Sequence, residues 1–503
     1  MLTLATLLAF VLPAGRIGGV WGTGFSGCNS AMFANFARSY HRAPPAIGSY
    51  LPALWRAPGA PAAEKDLYAS QFPYIYLACA AATAVAGTSE AALRLLAVAI
   101  TLAGAFLVAR LAGREDPWTG VAAAFLYLTA PVTLLYGDMA EIILPQGLCL
   151  ALAVWAYGRR ADGRMGTGRY VLACVPLALS SSFLFPFYAA GVFAVDLALH
   201  RSLRRTVPLL AAASLPWAGL LALHLGIVHH VYGDLDIFFG RAGERGLRPD
   251  RFWGDLGEVG RAWGERLGAP QLVLLLAGLV LAVRRGGAAR ATAAATGAII
   301  LFTTAGLMGW FVVHRYGMQL WIPLAAVLGG PVLAGLVRRA ILRRAIVPAG
   351  DGGRGRWAVR AAAGILVLAC VGLFAHRIRR HEGPNAYETA LARLAALAGA
   401  HAPGDERPLL LVVRKNVMGA RMSVLYYAHR PDYRILATEL DRVVPTAHPA
   451  VLGLDVLETL PVLQGRYGIA RDGVEVRLPV DADGDPLGTL YLWRNPAAGA
   501  HGD

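Results

Sequence analysis

Lysine is almost missing from this chain of 503 residues. Lys65 and Lys415 are the only two, and arginine supplies the rest of the 47 basic side chains. Charge of either sign is scarce: charged residues make up 16% of the sequence and hydrophobic ones 56%, with a mean hydropathy of +0.50. Soluble globular domains carry about a quarter charged residues, so this balance argues against a single soluble enzyme. Cysteine is also sparse. Cys28, Cys79, Cys149, Cys174 and Cys370 are odd in number and scattered, with no CxxC or Cys/His spacing, which argues against zinc and against a disulfide framework. A Walker loop, a Rossmann glycine fingerprint, a GxSxG elbow and an HExxH pair are all absent. No internal repeat or low-complexity tract is evident.

What is present is apolar sequence of membrane-spanning length. Windows of about 17–25 apolar residues mark spans. They fall near 1–22, 89–113, 118–137, 141–158, 169–184, 186–200, 206–228, 268–284, 291–310, 318–337 and 358–375. The first window lacks a basic n-region and reads as a short span rather than a cleaved signal peptide. The stretch 72–87 is apolar but short, and reads as a surface or re-entrant helix. The fold class expected is an all-α polytopic membrane domain of about 11 transmembrane helices over 1–375. A small external α/β domain is expected over 376–503, where helical and strand-like stretches alternate.

Arginine-rich loops stay cytoplasmic. The segments 113–118, 159–169, 200–205, 284–290 and 338–360 fall on one side and hold 18 basic and 4 acidic residues, nearly all of the net charge of +15. The excess is therefore a positive-inside signature, and no nucleic-acid partner is expected, since such a binder gathers its basic residues on a solvated surface. This topology puts the chain in the inner (cytoplasmic) membrane with its N-terminus inside. Loop 23–88, a short turn at Asp138 and Glu141, loop 229–267 and the tail 376–503 then lie outside.

Ionisable groups at span mouths are expensive and are candidates for function. Asp138 and Glu141 are three apart, so they share a face if a helix begins there. Such a pair can hold a divalent cation such as Mg or Mn, or one member can act as general base on a hydroxyl. They could equally be acids satisfying a helix N-terminus. Arg241, Arg245, Arg248 and Arg251 in loop 229–267 suit phosphate, with Phe238, Phe239, Phe252 and Trp253 suited to a lipid tail or sugar face. Glu244, Asp250 and Asp255 could instead pair with those arginines. His314, Arg315 and Tyr316 sit at another span mouth, where a His serves either as interfacial anchor or as catalyst.

The order of these features resembles the GT-C superfamily of polytopic glycosyltransferases, in the branch of protein O-mannosyltransferases and aminoarabinose transferases. The resemblance rests on an Asn-x-Ala-x-x-Ala-type helix from Asn29 to Arg38 and on a Phe72-Pro73 stretch. It rests also on a Gly-x-Ser-Glu-x-Ala-x-Arg-Leu run from Gly87 to Leu95, the acid turn, and the late His314 and Tyr316. It covers about 1–375, most firmly 23–160. It implies a hexosyl- or pentosyltransferase that takes a sugar from a polyprenyl-phosphate carrier. The sugar passes outside the membrane to a lipid, glycan or protein acceptor, with membrane lipids as neighbours. Asp138 and Glu141 match the second-turn acids, and Arg38 and Glu90 match scaffold positions. His314 and Tyr316 match the late motif, whose middle residue is often Asp and is Arg315 here. In the first loop, Asn29-Ser30 stand where an Asp or Glu is common, and Gln71 stands where His is frequent. An amide cannot accept a proton as a carboxylate does, which leaves Glu64, Asp66 or Asp138 to serve as base. Two rival classes are a transporter or flippase for a polyprenyl-linked lipid, which inverted repeats and mid-span charge pairs would favour, and an inactive GT-C-like subunit.

Overall fold

The computed structural model describes residues 25–42, 51, 72–137, 139, 143–233, 235–236, 238–239 and 249–346, positions between 361 and 372, 386–401, 427, and the strands 409–413, 433–436, 450–454, 474–482 and 485–494. The chain is mostly helical. In chain order the helices are α1 (Phe25–Arg42), α2 (Tyr74–Ala86), α3 (Glu90–Ala112), α4 (Pro117–Thr129), α5 (Pro131–Tyr136), α6 (Ile143–Ala161), α7 (Thr167–Ser180), α8 (Leu184–His200), α9 (Leu203–Tyr232), α10 (Phe252–Ala262), α11 (Ala269–Arg285), α12 (Gly287–Gly306), α13 (Met308–Val313), α14 (Ile322–Ile346) and α15 (Ala386–Ala400). Short 3-10 and π segments at Pro249–Arg251, Trp263–Leu267 and Arg315–Trp321 link several of them.

Among the described residues, four helices are long and apolar enough to cross a membrane: Glu90–Ala112, Leu203–Tyr232, Gly287–Gly306 and Gly317–Ala340. The pair Pro249–Leu267 and Ala269–Arg285, bent by 101°, would make a fifth. The windows from 89–113 to 318–337 each fall on helix; window 1–22 lies outside the described residues, and 358–375 lies only partly within them. Two expectations need amending. Window 118–137 is two helices, because Pro131 has no N–H to continue the ladder and forces Ala130 into an extended conformation (φ −63°, ψ 133°). Loop 229–267 carries a helix, α10, and the π-helical turn that feeds α11 across that bend.

The chain divides into two compact units. The first comprises Met1–Ala14, Ala69–Ile75 and Leu96–His381. Its core is aliphatic and alanine-rich, with buried tyrosines at 127, 157, 170 and 188. Helices approach closely where a side chain is missing. A Cβ at Gly278 of α11 would lie 2.2 Å from the Leu328 carbonyl of α14, the close packing that small residues permit in lipid.

Helix breaks free carbonyls, and buried carbonyls need donors. Gln271 Nε2 of α11 donates to Thr129 O at the end of α4 (3.3 Å), and Gln146 Nε2 of α6 to Ser180 O at the end of α7 (2.7 Å). Trp217 Nε1 donates to Ser182 O (3.3 Å), and the Ser181 hydroxyl caps α8 at the Leu184 N–H (2.8 Å). The carboxylate of Asp196, 1% exposed, accepts from Thr206 Oγ1 (2.6 Å) and Tyr157 OH (3.4 Å), with His200 Nε2 at 3.6 Å.

The second unit comprises Gly15–Tyr68, Tyr76–Leu95 and Glu382–Asp503. In α1 the helical spacing puts Phe33 and Phe36 on one face, packed on Tyr76 at 4.9 and 4.8 Å between ring centroids. Arg38 Nε donates to Thr88 Oγ1 (3.2 Å), and His41 Nε2 meets Thr83 Oγ1 (3.0 Å). The strands β1 (Leu409–Val413), β2 (Tyr433–Leu436), β3 (Ala450–Leu454), β4 (Val474–Ala482) and β5 (Asp485–Arg494) form one sheet in the order β2-β1-β3-β5-β4. β1 pairs parallel with β2 and β3, while β5 runs antiparallel to β3 and β4. Pro479 sits on the edge strand β4 beside a register shift, where a missing donor is tolerated. Helix α15 packs on this sheet.

Gly278→Ala is expected to force α11 and α14 apart and to lower stability by about 1–3 kcal/mol. Thermal unfolding of the detergent-solubilised protein measures it, and an unchanged Tm would contradict the packing described.

Candidate functional site

The acid turn is held on both sides of Asp138. Gly137 N–H donates to Thr133 O (2.7 Å), Met139 N–H to Tyr136 O (3.0 Å), and the Thr101 hydroxyl of α3 to Gly137 O (2.8 Å). Asp138 and Glu141 themselves lie outside the described residues, as do Glu64, Asp66, Gln71, Arg241 and Arg245 and the side chain of Asn29. Arg315 and Tyr316 are described in backbone only.

The residues flanking that turn meet the late motif. The segment Arg315–Trp321 packs against α5, α6, α13 and the π turn before α11. Gly147 of α6 is the reason it fits. A Cβ there would lie 2.9 Å from Leu320 O and 3.1 Å from Gln319 O. His314 is half-buried, its ring 5.4 Å from Trp310, and its carbonyl accepts from Gly317 N–H (2.8 Å). The Arg266 guanidinium lies over the Tyr136 ring at 5.9 Å, immediately before Gly137. Trp263 stacks on Trp321 at 6.2 Å, and Phe311 lies 6.0 Å from the same indole. The acid turn's flanks, an arginine and the His314 segment therefore share one end of the first unit. It is the end from which α6 and α11 set out, each to finish in arginine.

At the centre is Gln319, fully buried, with neither amide atom hydrogen-bonded. Trp321 Nε1 beside it is buried and unpaired as well. An unmade buried hydrogen bond costs about 1–3 kcal/mol, so this open donor and acceptor stand out in an otherwise apolar setting. Gln319, Trp321, Trp263, Arg266 and Thr101 escaped the sequence reading. Gln319 and Trp321 stand at the start of a window read only as a span. The one available signal was a glutamine beside an indole inside apolar sequence.

Phe72, next to Gln71, is buried against His224 of α9 at 5.4 Å. His224 meets Phe238 at 5.6 Å, and Phe238 stacks on Phe183 at 5.2 Å. Among the described residues, no group of three or more His, Cys, Asp or Glu comes together to hold a metal ion.

No family model and no curated protein sequence matches the chain. Solved structures do. ArnT from Cupriavidus metallidurans bound to undecaprenyl phosphate aligns at a TM-score of 0.56 and 13% identity, over 99% of this chain and 97% of that one. The archaeal oligosaccharyltransferase AglB from Archaeoglobus fulgidus, in complex with an inhibitory peptide and a dolichol-phosphate, aligns at 0.55 and 13% identity, over 97% of this chain and 73% of that one. The chain has the GT-C fold. The GT-C structures that share it include membrane glycosyltransferases solved with polyprenyl phosphates. The Archaeoglobus fulgidus oligosaccharyltransferase was also solved with Zn and sulfate, at a TM-score of 0.52 and 12% identity over 90% of this chain and 68% of that one. The GT-C fold and its apolar helices make this a membrane protein.

Gln319→Leu keeps the side-chain volume and removes the unpaired amide. It is expected to leave the Tm of the detergent-solubilised protein unchanged or to raise it. A Tm fall of several degrees would show that the amide is structural.

Proposed function

We propose that the chain is a membrane glycosyltransferase that moves a sugar from a polyprenyl-phosphate carrier to an extracytoplasmic lipid, glycan or protein acceptor. The observation that carries the reading is the GT-C fold over nearly the whole chain, shared with structures that hold undecaprenyl phosphate and dolichol-phosphate. The meeting of the acid turn's flanks with the His314 segment supports the location of the site. On this reading residues 1–375 form the membrane domain, with about 11 spans, and 376–503 an external α/β domain. The N-terminus faces the cytoplasm on this reading, which the arginine distribution supports, and the membrane is the cytoplasmic one.

The chemistry is a substitution at the anomeric carbon. The acceptor oxygen bonds to that carbon, the bond to the phosphate oxygen breaks, and polyprenyl phosphate leaves with the electron pair. A carboxylate, Asp138 in this proposal, takes the acceptor's proton as the bond forms. Asn29 cannot do so, which makes the acid turn rather than the first loop the source of the base; Glu64 and Asp66 are the other carboxylates available. Glu141, Gln319 and Trp321 would orient the sugar. Arg266, Arg315, Arg241 and Arg245 are the cations proposed to meet the leaving phosphate, whose charge grows in the transition state. Asp138 and Glu141 are also the acids that would hold a Mg or Mn ion.

Asp138→Asn is expected to abolish transfer from a polyprenyl-phosphate sugar in membranes, with normal protein levels. Glu141→Gln is expected to lower it about 10²- to 10³-fold, as for loss of a positioned polar group. Full turnover by Asp138→Asn would remove that residue from the mechanism.

A further inference from the structure

A second site lies at the opposite end of the helices. A cavity of about 330 Å³ opens between the ends of α3, α6 and α11 and the start of α12, with α14 as its floor. Four arginines line it, Arg114, Arg159, Arg164 and Arg285, against two acids, Glu115 and Asp162. The acids are claimed unevenly. Arg164 takes both, at 2.9 Å to Glu115 and 2.8 Å to Asp162, and Arg159 reaches Glu115 only at 3.6 Å. Arg159 Nε is buried with no acceptor. The guanidiniums of Arg114 and Arg159 both lie over the Trp155 ring, at 5.7 and 5.9 Å. The shared indole holds the two cations close together.

Three further features point the same way. The first intrahelical bond of α12 runs from Arg290 N–H to Gly286 O (3.2 Å). Ala288 and Ala289, which line the cavity, therefore have N–H groups with no intrahelical acceptor. The net charge of the lining is positive, and no arginine can shed its proton to relieve it. The floor is apolar, from Leu281, Val327, Leu328 and Pro331. Arginines at the rim over apolar side chains at membrane depth match a phosphate carried on a lipid better than a free solute.

We propose that this cavity binds a phosphate-bearing anion, the headgroup of an anionic lipid in the leaflet on the arginine-rich side. The site is distinct from the transfer site and does not depend on it. Its occupant neutralises the Arg114, Arg159 and Arg285 cluster and bridges the ends of α3, α6, α11 and α12.

The test uses the full-length protein in detergent, titrated with phosphatidylglycerol, phosphatidylcholine or inorganic phosphate. Native mass spectrometry reads the bound molecule and thermal unfolding reads its effect. One phosphatidylglycerol per chain is expected to survive conditions that strip phosphatidylcholine, and to raise Tm. Arg114 and Arg285 make no ion pair to an acid of the cavity, so the double variant Arg114→Gln/Arg285→Gln leaves its salt bridges intact. It is expected to weaken phosphatidylglycerol about 10- to 30-fold, from two lost charges near the surface. The pair Arg290→Gln/Arg339→Gln, which does not line the cavity, is expected to have no such effect. Inorganic phosphate bound in the same arginine-dependent way, without phosphatidylglycerol, would keep the phosphate site and overturn its lipid source. Equal retention of phosphatidylcholine, or equal loss in both variants, would overturn the site.

Discussion

In hydrocarbon a free peptide group has no water to turn to, and every structural choice in the membrane unit follows from that constraint. It explains why the apolar sequence folds as helices. It also explains what happens where a helix must stop early. Pro131 cuts one helix, and the carbonyl left at Thr129 is met by Gln271 from a neighbour. The break after Ser180 is met by Gln146, Ser181 and Trp217. The few polar side chains inside this unit are therefore mostly spent on closing the backbone's own gaps. Gln319 belongs to the described residues that do not: neither of its amide atoms has a hydrogen-bond partner.

The three buried glutamines differ in what they serve. Gln271 and Gln146 each donate to a carbonyl, whereas the Gln319 amide and Trp321 Nε1 have no hydrogen-bond partner. They lie where the 3-10 segment after His314 crosses Gly147, next to the fixed flanks of the acid turn. Trp263 stacks on Trp321 and Phe311 lies against the same indole, which holds the shape of this corner.

Much of the helical frame was legible in the sequence, because hydropathy reads the same desolvation that the bilayer enforces. The windows from 89–113 to 318–337 coincide with helices for that reason. The break at Pro131 was legible in principle, since proline's missing donor is a local property, but an uninterrupted apolar window hid it. The helix within 229–267 was less legible. Its mixed charge reads equally as a solvated loop, and only packing on α13 and the following π turn distinguishes the two. The acid turn and His314 stood out as charges at span mouths. Gln319 and Arg266 did not, because burial and partnerlessness are three-dimensional facts. The first-loop acids belong to no described geometry, and the sequence alone speaks for them.

The bond from Thr206 to Asp196 bears on how the protein is made. A carboxylate near the end of an apolar helix is costly to pass into the bilayer by itself, at about 2.5–3.5 kcal/mol or more at the helix centre. Its closest hydrogen-bond donor, Thr206, follows only ten residues later, across a turn closed by Arg201 in a left-handed conformation (φ 50°). α9 thus supplies α8 with a donor for its carboxylate, beside the one that Tyr157 of α6 provides. The hairpin of α8 and α9 carries its own donor for the one carboxylate buried within it.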